Sequence, residues 1–138
     1  ERMAVKMHKH VKTAWVTEWR KQEKPWGHEM VWSSFSAGHG KMLTLTKDSR
    51  TSLKYNPQKS EALIVISGRV HARFGDEHTL KDEIGHPWKE CILEPGMTLN
   101  VQSQCPYRLT AIEDSQIIEI GNHLADSPIR IEDDYGRG

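Results

Sequence analysis

From Lys41 to Ile120 the chain is written as short β-forming runs separated by turn residues, and that rhythm restricts it to an all-β sandwich or barrel. Residues 42–46 alternate apolar and polar side chains before Lys47-Asp48-Ser49-Arg50 turns the chain. Residues 53–56 are extended and end at Pro57. Residues 62–66 are the most apolar run and are expected to be a strand buried on both faces. Ser67-Gly68 reads as a hairpin signal returning through residues 70–74, and Gly75-Asp76 turns again. Further strands follow at 91–93, 98–101, 107–111 and 116–120, with Pro95-Gly96 as a tight turn. The expected number is eight or more, with no internal repeat and no long helix.

With 138 residues there is room for one core, and about two-thirds of the extended chain's surface can be buried. Segment 1–24 has a weak helical period through Val5, Val11, Trp15 and Trp19, which leaves a strand-and-loop arm and an amphipathic helix both open. Lys24-Pro25-Trp26-Gly27 then breaks any regular element. The expected organisation is an N-terminal arm, 1–23, and one domain, 24–138. No apolar run approaches a membrane span, and no leader pattern is visible. Cys91 and Cys105 are too few for a disulfide framework and read as free thiols of a cytoplasmic protein.

Zero net charge and a pI near 7.3 argue against nucleic acid as a partner. The ends are polarised: residues 1–24 hold seven Lys/Arg against three Asp/Glu, and residues 111–138 hold two against seven. Pairing of these tails, with cover for exposed edge strands, is the basis for expecting a homodimer.

Four motifs add a lineage. Lys24-Pro25-Trp26-Gly27-His28-Glu29 resembles the opening of small cupins of the type II mannose-6-phosphate isomerase group and of the cupin half of mannose-1-phosphate guanylyltransferases. Ser52-Leu53-Lys54-Tyr55-Asn56 with Ser60-Glu61 and residues 65–70 resembles that group's first cupin motif, and residues 94–96 through 106–109 resemble the second. Residues 129–137 resemble its closing segment, so the likeness spans 24–137. The resemblance implies a cupin, a double-sheet jelly roll with a pocket inside the barrel. It also implies a place in carbohydrate metabolism, as an isomerase-related protein that binds a sugar phosphate or nucleotide sugar.

The positions where such cupins hold a divalent metal are Lys54, Asn56, Glu61 and Tyr107 in this chain, and only Glu61 keeps a ligand type. A protonated lysine accepts nothing and repels a cation, so neither a metal nor any other cofactor is expected there. Strand alternation nevertheless puts Lys54 and Asn56 on one face. Metal-free proton transfer would use Glu61 as base and Lys54 as electrophile, whereas a Lys54–Glu61 ion pair plugging a lost site needs no chemistry. Epimerase-type chemistry through His71 and a tyrosine, Tyr55 or Tyr107, is a further alternative, and a non-catalytic interaction module another. The candidate ligand contacts are Lys54, Tyr55, Asn56, Arg73 and Arg108, three cations and two neutral polar groups suited to a small polar or anionic molecule. His71 shares a strand face with Arg73, and alternation leaves open whether that face looks inward. His8 and His10 have ligand-like spacing in the arm, while His28, His39, His78 and His86 read as surface groups beside turns. Trp26 and Trp32 are expected to pack.

Overall fold

The computed structural model describes residues 11–122 and 127–137. Eleven strands occur among them: β1 (Arg20–Lys24), β2 (Gly27–Phe35), β3 (Gly38–Leu45), β4 (Leu53–Tyr55), β5 (Glu61–Ser67), β6 (Val70–Phe74), β7 (Lys89–Leu93), β8 (Thr98–Val101), β9 (Tyr107–Ala111), β10 (Ser115–Gly121) and β11 (Ile129–Glu132). They form two antiparallel sheets, ordered β1-β2-β3-β10-β5-β8 and β11-β4-β9-β6-β7, which face each other as a jelly roll. The inward positions follow the period of two. Leu43 and Leu45 on β3, Leu63 and Val65 on β5, and Ile117 on β10 meet Leu109 and Ala72 from the opposite sheet in one buried cluster. No helix among the described residues is long and apolar enough to cross a membrane.

Two sequence expectations change, and the open form of the lead is decided. Strand β5 is not buried on both faces: Leu63 and Val65 are enclosed, but Ile66 is 49% exposed, because only one face of the outer sheet has a partner layer. Ser67-Gly68 does not close a hairpin. Strand β5 pairs with β10 and β8, whereas β6 pairs with β7 and β9, so this turn carries the chain from one sheet to the other. The lead contributes a strand of its own, β1, paired with β2 from Arg20↔Val31 to Lys24↔Gly27. Pro25 and Trp26 form the connecting turn, and Trp26 is buried at 6% exposure. Gly27 has φ of +147°, and a Cβ there would lie 1.9 Å from the Thr44 carbonyl oxygen, so β2 can approach β3 only with glycine at this position. Trp32 is 42% exposed and lies flat where a Gly40 side chain would stand. His8 and His10 lie outside the described residues.

The C-terminal segment is fastened to the barrel by charge. Arg50 binds Asp134 through Nε and, at 2.7 Å, through a terminal nitrogen, and Asp133 accepts from the Arg137 amide and guanidinium. The Arg50 hydrogen bond holds the Asp134 carboxyl below its ordinary 3.8, and Arg137 does the same for Asp133. A carboxylate with a lowered folded-state pKa stabilises the fold above its unfolded value and loses that contribution as pH falls through the folded one. Amide protection of residues 129–132 is therefore expected to drop selectively below about pH 3.8 while core strands hold. Hydrogen exchange across pH 5 to 2 checks this, and uniform loss across β5 and β11 would refute it.

Candidate functional site

Between the sheets lies a polar cavity of about 120 Å³, walled by Glu29, Lys41, Glu61 and Glu119 from one sheet and by Lys54, Asn56 and Tyr107 from the other. Pro128, Arg130 and Arg137 of the C-terminal segment form one rim. Each inward residue is placed by alternation. Glu61 begins the series continued by Leu63 and Val65, and Glu119 follows Ile117 on β10. Carboxylates thus occupy core-facing positions at one end of otherwise apolar strands.

Glu61 is the hub. Asn56 Nδ2 donates to its Oε1 at 3.1 Å and the Tyr107 hydroxyl donates to the same oxygen at 2.8 Å. Its other oxygen, Oε2, lies 3.6 Å from Lys59 Nζ and 3.7 Å from His39 Nε2. His39 Nε2 is also 2.8 Å from Glu119 Oε2. Burial, then the neighbouring Glu119 charge, pushes the Glu61 carboxyl up. Glu119 feels the same burial, but the His39 hydrogen bond and the Lys41 and Lys54 charges outweigh it and hold the group down to about 2. Burial also lowers Lys54 and raises Tyr107 well above the usual phenol range. On the same sheet Glu29 pairs with Lys41 at 3.4 Å and Lys24 at 3.6 Å.

Lys54, Asn56, Glu61 and Tyr107 are therefore brought together, with Lys54 and Tyr107 register partners. The expected Lys54–Glu61 ion pair is not the one that forms. Lys54 Nζ sits over the Tyr107 ring, 4.8 Å from its centroid, and Lys59 approaches Glu61 instead. Tyr55 follows Lys54 on β4 and does not line the cavity. His71 and Arg73 stand on the outer face of β6, opposite the buried Val70 and Ala72. His71 meets Glu90 at 3.0 Å and Arg73 stacks over Trp88, which removes both from the cavity. Arg108 also points away from it. Its Nε donates to the Thr51 carbonyl at 2.8 Å, and its terminal nitrogens reach the Glu132 carboxylate and carbonyl. His39 is not a surface group, since its side chain is 8% exposed. Sequence reasoning missed His39, Glu119, Glu29, Lys41 and Arg130. A charged residue at an inward position of an alternating run, as in Ile117-Ile118-Glu119-Ile120, is the signal for Glu119; His39 between two glycines offers none.

The divalent metal that the motif resemblance implies does not fit positions 54, 56, 61 and 107. Asn56 and Tyr107 both turn donors toward Glu61, and Lys54 brings a cation, so three of the four positions present hydrogens where a metal needs lone pairs.

No family model matches the chain, and no curated protein matches it. Solved structures do. The capsular polysaccharide assembling protein CapF from Staphylococcus aureus is 11% identical with a TM-score of 0.69, covering 83% of this chain and 32% of its own. KdgF from Halomonas sp. is 12% identical with a TM-score of 0.62, covering 78% and 86%. The vicilin from Solanum melongena is 12% identical with a TM-score of 0.60, covering 68% and 26%. The chain thus spans about a third of the length of CapF. These likenesses establish the fold, an all-β cupin jelly roll.

Proposed function

We propose that this chain is a binding cupin for a small anionic, hydroxyl-rich ligand of the sugar-acid or sugar-phosphate class. The observation that carries the proposal is Arg130. Its Nε is buried and has no hydrogen-bond partner among the described residues, on the rim of the cavity and in register with Lys54. Buried donors are almost always paired, so an orphaned guanidinium nitrogen beside a lysine calls for an acceptor from outside the chain. Lys24 and Lys41 share one carboxylate, Glu29, and so leave a net positive charge on the same walls.

Size narrows the class. Pockets that enclose a drug-sized ligand run to roughly 300–1,000 Å³, and this cavity of about 120 Å³ holds a small acid or the charged end of a sugar phosphate. A nucleotide sugar is too large to be enclosed. The motif resemblance to mannose-6-phosphate isomerases supports the sugar-phosphate end. Among the fold neighbours, the vicilin from Solanum melongena holds different anionic ligands in structurally similar pockets, and CapF is a capsular polysaccharide assembling protein.

Binding is favoured over isomerisation because Glu61 Oε1 already accepts from Asn56 and Tyr107 and Oε2 faces the Lys59 ammonium at 3.6 Å. One observation favours the second reading, a metal-free isomerase with Glu61 as base: the raised pKa of that carboxyl. Thermal shift against mannose 6-phosphate, fructose 6-phosphate and GDP-mannose tests the first. A ligand at 100 times its Kd adds about 2.7 kcal/mol, or about 9 °C in Tm for a domain of this size. A hexose phosphate is expected to produce such a shift, GDP-mannose none, and Arg130→Gln to abolish it. Silence from every sugar phosphate ends the sugar reading in favour of an interaction module. Proton exchange of a bound sugar in D₂O would favour the isomerase.

A further inference from the structure

The geometry points to a divalent-cation site formed by His39 Nε2, Glu61 Oε2 and a Glu119 oxygen, a ligand set different from the cupin positions 54, 56 and 107. The inference goes beyond anion binding and does not rest on it. It is incompatible with Glu61 acting as a free base.

The three ligand atoms lie within 4.8 Å of one another on buried side chains, His39 and Glu119 at 8% exposure and Glu61 at 4%. An ion bonded at about 2.1 Å in tetrahedral geometry sets its ligand atoms about 3.4 Å apart. The observed 2.8 Å from His39 to Glu119 and 3.7 Å to Glu61 bracket that spacing, so only small side-chain shifts are needed. Lys59 Nζ lies 3.6 Å from the same Glu61 oxygen, beyond hydrogen-bond length.

The surroundings are arranged as supporting partners arrange a metal ligand. Asn56 and Tyr107 both bond Glu61 through Oε1, which fixes the carboxylate and leaves Oε2 turned to His39. The residues that replaced ligands at the usual cupin positions thus hold the one carboxylate that remains. His39 has a built seat as well. It is the register partner of Gly121, and a Cβ at 121 would lie 2.3 Å from the imidazole Cε1, so the ring occupies space that only glycine leaves open. One imidazole and two carboxylates suit a borderline or hard first-row ion, Zn²⁺ or Mn²⁺, rather than a thiophilic one. An entry path exists: His39 and Glu61 also line an outer groove beside Trp32 and Asn122, while Glu61 and Glu119 line the interior cavity.

The test is titration of chelator-stripped full-length chain with Zn²⁺ and Mn²⁺ by calorimetry, with metal per chain measured after dialysis. One ion per chain is expected, lost in both His39→Gln and Glu119→Gln and bound about 10-fold more weakly by Tyr107→Phe. Circular dichroism confirms that each variant is folded. A second readout needs no variant: Co²⁺-loaded wild-type protein should show hyperfine-shifted imidazole proton signals from one histidine. Absence of stoichiometric binding overturns the site. So does binding that survives both substitutions, or that disappears only when His8 and His10 are replaced by alanine. Metal binding by Arg130→Gln with no sugar-phosphate response, or the reverse pattern in Glu119→Gln, separates this site from the anion proposal.

Discussion

Replacing Glu61 with alanine is expected to lower stability by about 3–5 kcal/mol, the range for breaking a buried charge network by removing one member. That corresponds to a fall in Tm of about 10–17 °C for 138 residues. The loss is large because it is shared. Asn56 and Tyr107 lose the acceptor they both use, and His39 and Lys59 lose a nearby negative charge. Glu61→Gln keeps an acceptor for those donors and should cost about 1–2 kcal/mol, as expected for hydrogen bonds weakened rather than orphaned. Melts in chelator compare the pair without any contribution from bound metal. A Glu61→Ala protein melting within 3 °C of wild type, about 1 kcal/mol on the same scale, would show that the network contributes little to the fold.

The contrast between these two variants follows from which parts of the site sequence can reveal. Lys54, Asn56, Glu61 and Tyr107 were legible because two of them share a strand face and all four occupy motif positions with a known spatial relation. The fold was legible for a similar reason, since short alternating runs with turns between them have few solutions other than a two-sheet barrel. What stayed hidden depends on contacts across the barrel. Strands β3 and β10 are adjacent in the sheet but about seventy-five residues apart in sequence, so nothing local links His39 to Glu119. Strands β1 and β2 were obscured because Glu29, Lys24 and Lys41 neutralise one another inside the barrel and make the pattern look solvent-facing. The Ser67-Gly68 turn misled for a subtler reason. The same φ-permissive glycine, here at +90°, serves a hairpin and a crossing between sheets, and the choice is made by the partners of the flanking strands.

Arg108 is where motif position and physical role diverge most, and the divergence has a measurable consequence. The residue follows Tyr107, so alternation sends it to the opposite face, where it is 4% exposed. There it donates to the Thr51 carbonyl at 2.8 Å and to the Glu132 carbonyl at 3.1 Å, joining β9, the segment that leads into β4, and β11. Arg108→Ala leaves the buried Thr51 carbonyl without this donor and removes the packed aliphatic stem, for an expected loss of about 2–4 kcal/mol. Tm should fall by about 7–14 °C. Because β11 carries Arg130 to the cavity rim, amide protection of residues 129–132 should fall furthest, and affinity for the proposed anionic ligand with it. Arg108→Lys is expected to rescue little, since a single ammonium cannot reproduce the fork that reaches Thr51 and Glu132 together. If Arg108→Ala instead weakened ligand binding with Tm and β11 protection unchanged, Arg108 would be a direct ligand contact and its outward placement would be wrong.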